Sequence, residues 1–256
     1  MGAGGFYVSG DGMRYPKFWL LAGLIAGSSA VLATAAETAV LVFSKTAGFR
    51  HDSIPAGIEA IQGLADKEGW KVTATEDASV FTPSQLADFG VVVFLNTSGD
   101  ILDDEQMAAL RGYLGEGGGV VGVHAASDTE VDDPWYPRMI GASFKNHPKI
   151  QPAELTVNPA ERSFPAVAHL PEIWARTDEW YDFRAAVPEA VRVLLTIGRT
   201  TYSDGKTGGE HPMAWYREFE GGRVFYTALG HTKESYEEAE FLTHLREGIR
   251  WAAQAK

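Results

Sequence analysis

Gly117–Asp128 reads GGGVVGVHAASD, and this stretch decides the fold. Val120–Val123 is too short for a helix and too apolar for a surface loop, so it predicts a fully buried strand of a parallel sheet. His124 follows directly, at the carboxyl end where open α/β sheets bind ligands. The small residues Ala125 and Ala126 allow a sharp turn there, similar to the elbow that presents a nucleophile in many α/β enzymes. A histidine that only caps the strand end fits the stretch equally well.

Strands and helices alternate through the first half of the chain. Two capping boxes, Thr82–Gln85 and Asp103–Gln106, mark helix starts. The apolar runs that predict buried strands are Ala39–Phe43, Lys71–Thr75, Val91–Leu95 and the run before His124. Four alternations with short connections indicate right-handed βαβ units. The predicted fold is therefore α/β and three-layered, a mostly parallel sheet with helices on both faces, as in flavodoxin-like proteins.

The second half is less regular, and its strands are predicted from shorter apolar runs. The predicted strands are Glu154–Val157, Val191–Ile197, Met213–Glu218 and Arg223–Tyr226, with a polar hairpin or loop at Thr200–Gly209. An amphipathic helix is predicted over Glu237–Ala253. The strand ends place the loops that hold His51 and His124 at one edge of the sheet.

The first 36 residues read as a Gly-rich lead-in and a secretory signal peptide. A basic segment follows Met13, an apolar segment runs from Phe18 to Leu32, and Ala33-Thr34-Ala35 fits the small-residue cleavage rule. We therefore expect translation to start near Met13 and residues 37–256 to form a single periplasmic or secreted domain, without a membrane contact after cleavage. The alternative is a retained transmembrane anchor over Phe18–Ala36.

The composition excludes several classes of protein. A formal charge of −12 and a pI near 5.0 argue against nucleic acid or an anionic membrane as partner. The absence of cysteine excludes disulfides, cysteine–zinc sites, iron–sulfur clusters and a cysteine nucleophile. No nucleotide cofactor is expected, because the glycines precede the strand and no phosphate-loop lysine follows them.

The histidines and a few acids are the candidates for chemistry. Imidazole and carboxylate side chains suit either a metal site or general acid–base catalysis, and the spacing alone leaves both open. His169 and His244 lack polar neighbours and are assigned structural roles. The acidic candidates are Asp128, Glu179 and Glu234.

Six motifs in chain order identify a resemblance to a known family. They are GFRH (48–51), GGVVGVHAA (118–126), FKNHP (144–148), DEWY (178–181), HPMAW (211–215) and YTALGHT (226–232). Together they resemble the ThuA-like, trehalose-utilisation family, over Ala39–Ala252. The resemblance implies a fold like the class I glutamine amidotransferase domain.

The resemblance also shapes the expected site. The elbow position, cysteine in the amidotransferases, is His124 here, and His231 with Glu234 stands where their late histidine would be. Glutaminase activity should therefore be absent. Two histidines facing one crevice favour a divalent metal such as zinc, held at least by His124 and His231.

The resemblance favours an enzyme of carbohydrate catabolism, a hydrolase, lyase or isomerase acting on trehalose or a keto-glycoside. The expected catalytic residues are His124, His231, Glu179 and His147; the expected substrate contacts are His51, Asp128, Trp135, Tyr181, His211 and Trp215. The expected partner is a small carbohydrate, and the oligomeric state stays open. Two alternatives are a non-catalytic sugar-binding module, with loop tryptophans stacking on sugar rings, and a hydrolase with Ser127 as nucleophile.

Overall fold

The computed structural model describes residues 1–2, 4–7, 38–185, 187–188, 190–198, 201–204 and 211–254. Contacts between Cα atoms divide the chain into two units, Met1–Ala35 and Ala36–Lys256. The predicted signal peptide lies outside the described residues, as does most of the predicted Thr200–Gly209 loop. None of the described helices is both long enough and apolar enough to span a membrane.

One half of the central sheet is parallel. Its strands are β1 (Ala39–Phe43), β2 (Lys71–Thr75), β3 (Val91–Leu95), β4 (Gly119–Val123) and β11 (Gly222–Thr227), in the order β2-β1-β3-β4-β11. All four pairings between these neighbours are parallel. β1, β3 and β4 are fully buried along nearly their whole length, which explains why they read as continuous apolar runs.

The other half is antiparallel and extends the sheet from β11. It consists of β10 (His211–Phe219), β9 (Arg192–Ile197), β6 (Gln151–Val157) and β7 (Ile173–Asp178), in the order β11-β10-β9-β6-β7. Because the directions alternate from β11 outward, β9 and β7 run the same way as the parallel strands. Seven of the nine strands thus share one direction, and the predicted α/β fold with a mostly parallel sheet is confirmed. β5 (Phe144–Asn146) and β8 (Asp182–Phe183) form a separate small sheet.

Helices cover both faces of the sheet. The α-helices are α1 (Ile54–Glu68), α2 (Pro83–Leu86), α3 (Asp104–Gly115), α4 (Tyr136–Ile140), α5 (Pro165–Ala168) and α6 (Ala239–Ala253). Successive residues of a strand point to opposite faces. Phe94 contacts the ring of Tyr136 in α4, whereas Leu95 packs where Gly57 of α1 leaves room for it.

The predicted helix starts are found close to their expected positions. Asp103 and Gln106 form a complete capping box, whereas the Thr82 hydroxyl accepts the N–H of Gln85 at 3.3 Å. The last helix begins two residues later than predicted, because Glu238 has an extended backbone and the residues before it form a 3₁₀ turn.

The far edge of the sheet curls back over α6. The Arg176 guanidinium of β7 lies 5.0 Å from the ring of Phe241, and the Trp174 ring lies 6.3 Å from that of His244. Both partners belong to α6, which also packs against β4 and β11. The curl therefore brings the carboxyl end of β7 to the end of β11, although three strands separate them in the sheet order.

A histidine–glutamate cluster at the carboxyl edge of the sheet

Four side chains meet where strands end. His51 lies in the loop after β1, His124 directly follows β4, Glu179 directly follows β7, and His231 lies in the loop after β11. One nitrogen or carboxylate oxygen from each lies within 4.8 Å of all the others. We call these four residues the histidine–glutamate cluster. The predicted site residues His51, His124, Glu179 and His231 are thus brought together.

His124 occupies the predicted elbow. Its φ of 49° is in the left-handed region, which side-chain-bearing residues rarely adopt. The tight turn is possible because Gly122 lets Ile140 and Tyr226 approach closely; a Cβ there would lie 2.9 Å from each. The hydroxyl of Tyr226, 2.8 Å from the His124 carbonyl oxygen, stabilises the turn further.

The tautomer of His124 follows from its buried partner. Nδ1 lies 2.7 Å from the carbonyl oxygen of Ala228, which can only accept a hydrogen bond. Nδ1 therefore carries the proton, and in neutral His124 the Nε2 lone pair points into the cluster. This arrangement, a backbone carbonyl orienting an imidazole, is typical of metal-ligating histidines.

The core of the cluster is a triangle of three atoms. His124 Nε2 lies 3.0 Å from His231 Nδ1 and 3.4 Å from Glu179 Oε2, and His231 Nδ1 lies 3.2 Å from the same oxygen. Ligand atoms on a tetrahedral zinc ion, at about 2.0–2.1 Å from it, are about 3.3–3.4 Å apart. The triangle therefore has nearly the size of one face of a zinc coordination shell.

The charges in the cluster favour a cation. Burial opposes ionisation of Glu179, but the contacts of its carboxylate with the His124 and His231 rings outweigh burial and lower the pKa of the carboxyl to about 2. Burial also lowers the pKa of His231, yet the hydrogen bond and charge of Glu179 raise it above its usual value. If the histidines are neutral and His231 carries its proton on Nδ1, this one proton is the only donor for both His124 Nε2 and Glu179 Oε2. If His231 carries its proton on Nε2 instead, all three atoms present lone pairs, and a bound cation would satisfy them.

His51 completes the cluster from the opposite loop. Its ring centroid lies 4.9 Å from that of His124 and 5.0 Å from that of His231. It is 5 % exposed, and its Nδ1 has no hydrogen-bond partner among the described residues. Burial, together with the neighbouring His124 and His231, lowers its pKa to about 3. His51 is therefore neutral and has a nitrogen available as a ligand.

Asp178 holds two members of the cluster in place, a role that the sequence analysis missed. Its Oδ1 accepts the backbone N–H of Glu179 at 2.9 Å and that of His231 at 3.1 Å. Its Oδ2 accepts the N–H of Gly230 at 2.9 Å and pairs with Arg176 at 3.2 Å. One buried carboxylate thus joins the end of β7 to the loop after β11. The feature of the sequence that could have indicated this role is the position of Asp178, an acidic residue directly before Glu179.

His147 and Tyr181 form the next layer. His147 Nδ1 lies 2.8 Å from Glu179 Oε1, and the side chain is 42 % exposed. The Tyr181 ring lies over His124 with a centroid distance of 4.1 Å, and Phe144 packs against Tyr181 at 4.3 Å. The predicted residues His147 and Tyr181 therefore adjoin the cluster, His147 on its solvent side.

Two other predicted substrate contacts lie near this layer. His211 Nε2 is hydrogen bonded to the carbonyl oxygen of Tyr181 at 3.1 Å, so it supports Tyr181 from behind. Asp128 ends the 3₁₀ turn after His124 and is half-buried, which raises the pKa of its carboxyl.

The predicted tryptophans are not brought to the cluster. Trp215 is fully buried, with Nε1 donating to the carbonyl oxygen of Ile140. Trp135 donates to the Glu220 carboxylate at 2.7 Å, and Glu220 precedes β11, at the opposite edge of the sheet. Neither side chain can stack on a sugar at the cluster.

The remaining candidates lie outside the cluster. Glu234 is exposed in the 3₁₀ turn before α6 and is not one of the four residues of the cluster. Ser127 is buried, and its hydroxyl neighbours Tyr226 and the His124 carbonyl, so no imidazole in the described part of the chain is placed to deprotonate it. His169 and His244 bond backbone carbonyls, which agrees with structural roles.

Comparisons with known proteins identify the family and the fold of the chain. A family model for ThuA, described as trehalose utilisation, matches residues 39–252. A ThuA-like protein from Bacteroides uniformis superposes with a TM-score of 0.73 at 24% identity, covering 88% of this chain and 95% of its own. One from Parabacteroides merdae gives 0.71 at 22% identity, with 86% and 91% covered.

More distant likeness extends to part of a larger enzyme. A Bacillus circulans β-galactosidase gives a TM-score of 0.53 at 15% identity, with 84% of this chain and 31% of that one covered. No curated protein matched the chain. At these identities the structural matches show the fold alone.

Proposed function

Because the chain belongs to the ThuA, trehalose-utilisation family, we propose that it is an enzyme of carbohydrate catabolism that works with a divalent metal ion. The family supports a role related to trehalose utilisation. The finer proposal is that the histidine–glutamate cluster holds the metal and that a sugar, such as trehalose or a keto-glycoside, binds above it. The observation that carries the proposal is the triangle of ligand atoms 3.0–3.4 Å apart.

The donor set fits zinc or a similar divalent metal. Three imidazoles and one carboxylate are common ligands of such ions. His124 offers Nε2, His231 offers Nδ1 and Glu179 offers Oε2, while His51 has to move slightly inward to join them. Ala228 and Asp178 supply the outer hydrogen bonds that orient His124 and His231.

The chemistry divides between the metal and the side chains of this chain. A bound divalent ion would polarise a carbonyl or hydroxyl group of the sugar. His147 would carry protons between the substrate and solvent, because it is partly exposed and its Nδ1 contacts Glu179. Glu179 would fix the ring of His147 through Oε1, and its Oε2 would be the metal ligand. Hydrolysis, elimination and isomerisation are all compatible with these roles.

The proposal is tested by the metal content of the purified mature protein, measured by elemental mass spectrometry. We expect near-stoichiometric metal in the wild type and its loss in His124→Ala and His231→Ala. His169→Ala is the matched control, since His169 lies outside the cluster and bonds only a backbone carbonyl in α6. This control should retain the metal.

Activity is then screened on keto-glycosides and trehalose, with and without a chelator. Turnover that survives His124→Ala, or a wild type that stays metal-free after reloading, would refute the metal mechanism. Saturable sugar binding without turnover and without metal would support the second candidate, a binding module. The observation that favours this candidate is that His124 stands at the elbow position where the amidotransferases have their cysteine nucleophile. For the same reason we expect no glutaminase activity.

The proposed setting is the periplasm or the cell exterior, reached through the predicted signal peptide. Intact-mass measurement of the secreted protein tests this, and a mature chain that begins near Ala36 is expected.

A further inference from the structure

Phe49 is exposed at the mouth of the site although its backbone is firmly held. Its residue exposure is 66 %. The Ser98 hydroxyl donates to the Phe49 carbonyl oxygen at 2.7 Å. In the same loop the N–H groups of Ala47 and Gly48 donate to the Ser98 carbonyl oxygen. The loop is therefore held in place by hydrogen bonds, and it leaves the Phe49 ring exposed to solvent.

A single exposed phenylalanine is common on protein surfaces, but the position of Phe49 sets it apart. Its ring centroid lies 4.9 Å from that of His51 in an edge-to-face contact. Ring contacts continue from His51 to His124 at 4.9 Å and from His124 to Tyr181 at 4.1 Å. Phe49 thus stands at the outer end of a row of rings that passes through the cluster.

The charges beside Phe49 indicate what kind of ligand fits. Arg50 is paired with Glu76 at 2.7 Å, and Lys233, which follows the His231 loop, is paired with Asp52 at 2.9 Å. These two cations are thus paired with carboxylates, and the chain as a whole carries −12. A phosphorylated sugar would gain little there and would be repelled at longer range.

We propose that Phe49 forms a stacking subsite for an uncharged pyranose ring at the mouth of the histidine–glutamate cluster. The C–H face of the sugar lies on the Phe49 ring, and its hydroxyl or carbonyl groups face the cluster. This inference rests on the proposed function, because it names the class of substrate of the same site.

The test is calorimetric titration with trehalose of the wild type, Phe49→Ala and Phe49→Trp. Phe49→Ala should weaken binding about three- to tenfold, the range expected for one aromatic stacking contact, and Phe49→Trp should restore it. Ile173→Ala is the matched control, because Ile173 is also exposed (53 %) but begins β7 at the opposite edge of the sheet. Trehalose 6-phosphate should bind more weakly than trehalose.

Equal affinities of the wild type and Phe49→Ala would overturn the subsite, as would tighter binding of the phosphorylated sugar or no saturable trehalose binding by the wild type. Metal content is measured on the same samples. Trehalose binding that depends on Phe49 in a metal-free protein would refute the metal proposal and support the subsite. A metal-loaded protein that binds trehalose equally well with and without the Phe49 ring would support the metal proposal and refute the subsite.

Discussion

Replacing Asp178 by asparagine removes one negative charge from the point where Glu179 and His231 are joined. The side chain is fully buried and keeps its shape, so the change is electrostatic. If the new amide nitrogen takes the Oδ1 position, it faces the N–H groups of Glu179 and His231. If it takes the Oδ2 position, it faces the Gly230 N–H and the Arg176 guanidinium. Either orientation sets donors against donors.

The magnitude follows from what is left unpaired. The Arg176 side chain is 2 % exposed and loses one of its two carboxylate partners. Breaking a buried ion pair costs about 3–5 kcal/mol. Because Glu238 remains 3.1 Å from Arg176, we expect the lower end, about 3 kcal/mol of unfolding free energy. The loop around His231 should also loosen, and zinc affinity should fall about 10- to 100-fold.

Three measurements separate these effects. Urea denaturation gives the free energy of unfolding, and hydrogen exchange of the His231 and Glu179 amides reports the local anchoring without any metal. Zinc titration gives the affinity. The control is Glu238→Gln, which removes the other, partly exposed partner of Arg176 but none of the bonds to the site backbone, and should cost about 1 kcal/mol with zinc affinity unchanged.

An Asp178→Asn variant whose unfolding free energy lies within about 1 kcal/mol of the wild type, and whose His231 amide exchanges no faster, would refute this role of Asp178. If Glu238→Gln loses zinc as strongly as Asp178→Asn, the role belongs to the charge on Arg176 and the bridging hydrogen bonds are incidental.

Two further predictions concern stability. Burial lowers the pKa of His244 to about 3, against ~6.5 when unfolded, so the folded state binds fewer protons in this range and loses stability as the pH falls from ~6.5 towards 3. Urea denaturation across this range should show a shallower decline for His244→Gln, by up to ~1.4 kcal/mol per pH unit. In α6, Gly248→Ala places a Cβ 2.5 Å from the Phe225 ring and should cost about 1–3 kcal/mol. Gly63→Ala in α1 meets no atom within 4 Å and should stabilise by about 0.4–1 kcal/mol.

Parallel pH profiles for the wild type and His244→Gln would contradict the first of these. Equal effects of the two glycine substitutions would contradict the second, because both lie in helices and differ only in the space around them.

The regular part of the fold was predictable because it is encoded locally. Continuous apolar runs such as Val91–Leu95 predict strands buried on both faces, and Asp103 with Gln106 marks a helix start through hydrogen bonds only three residues apart. Once the strands are parallel, their carboxyl ends must share an edge. The meeting of His51 and His124 was therefore expected from the strand pattern, and the family resemblance added His231.

The geometry of Glu179 and Asp178 was beyond the reach of such patterns. β7 lies at the far end of the nine-stranded sheet, and its approach to His231 depends on the curl over α6, which long-range packing of Arg176 and Trp174 produces. The loop tryptophans failed as predicted contacts for the same reason. Exposure of an aromatic ring is decided by what packs on it, and Trp215 is covered on all sides.

The sequence by itself determined the alternation of strands and helices in the first half, the family, the elbow at His124 and the absence of cysteine chemistry, because each depends on residue identity or on contacts within a few positions. The tertiary structure alone decided that one carboxylate, Asp178, ties Glu179 to His231 and that Phe49 stays exposed while the tryptophans are buried. These features depend on residues about 50 positions apart along the chain, whose distance no local pattern encodes.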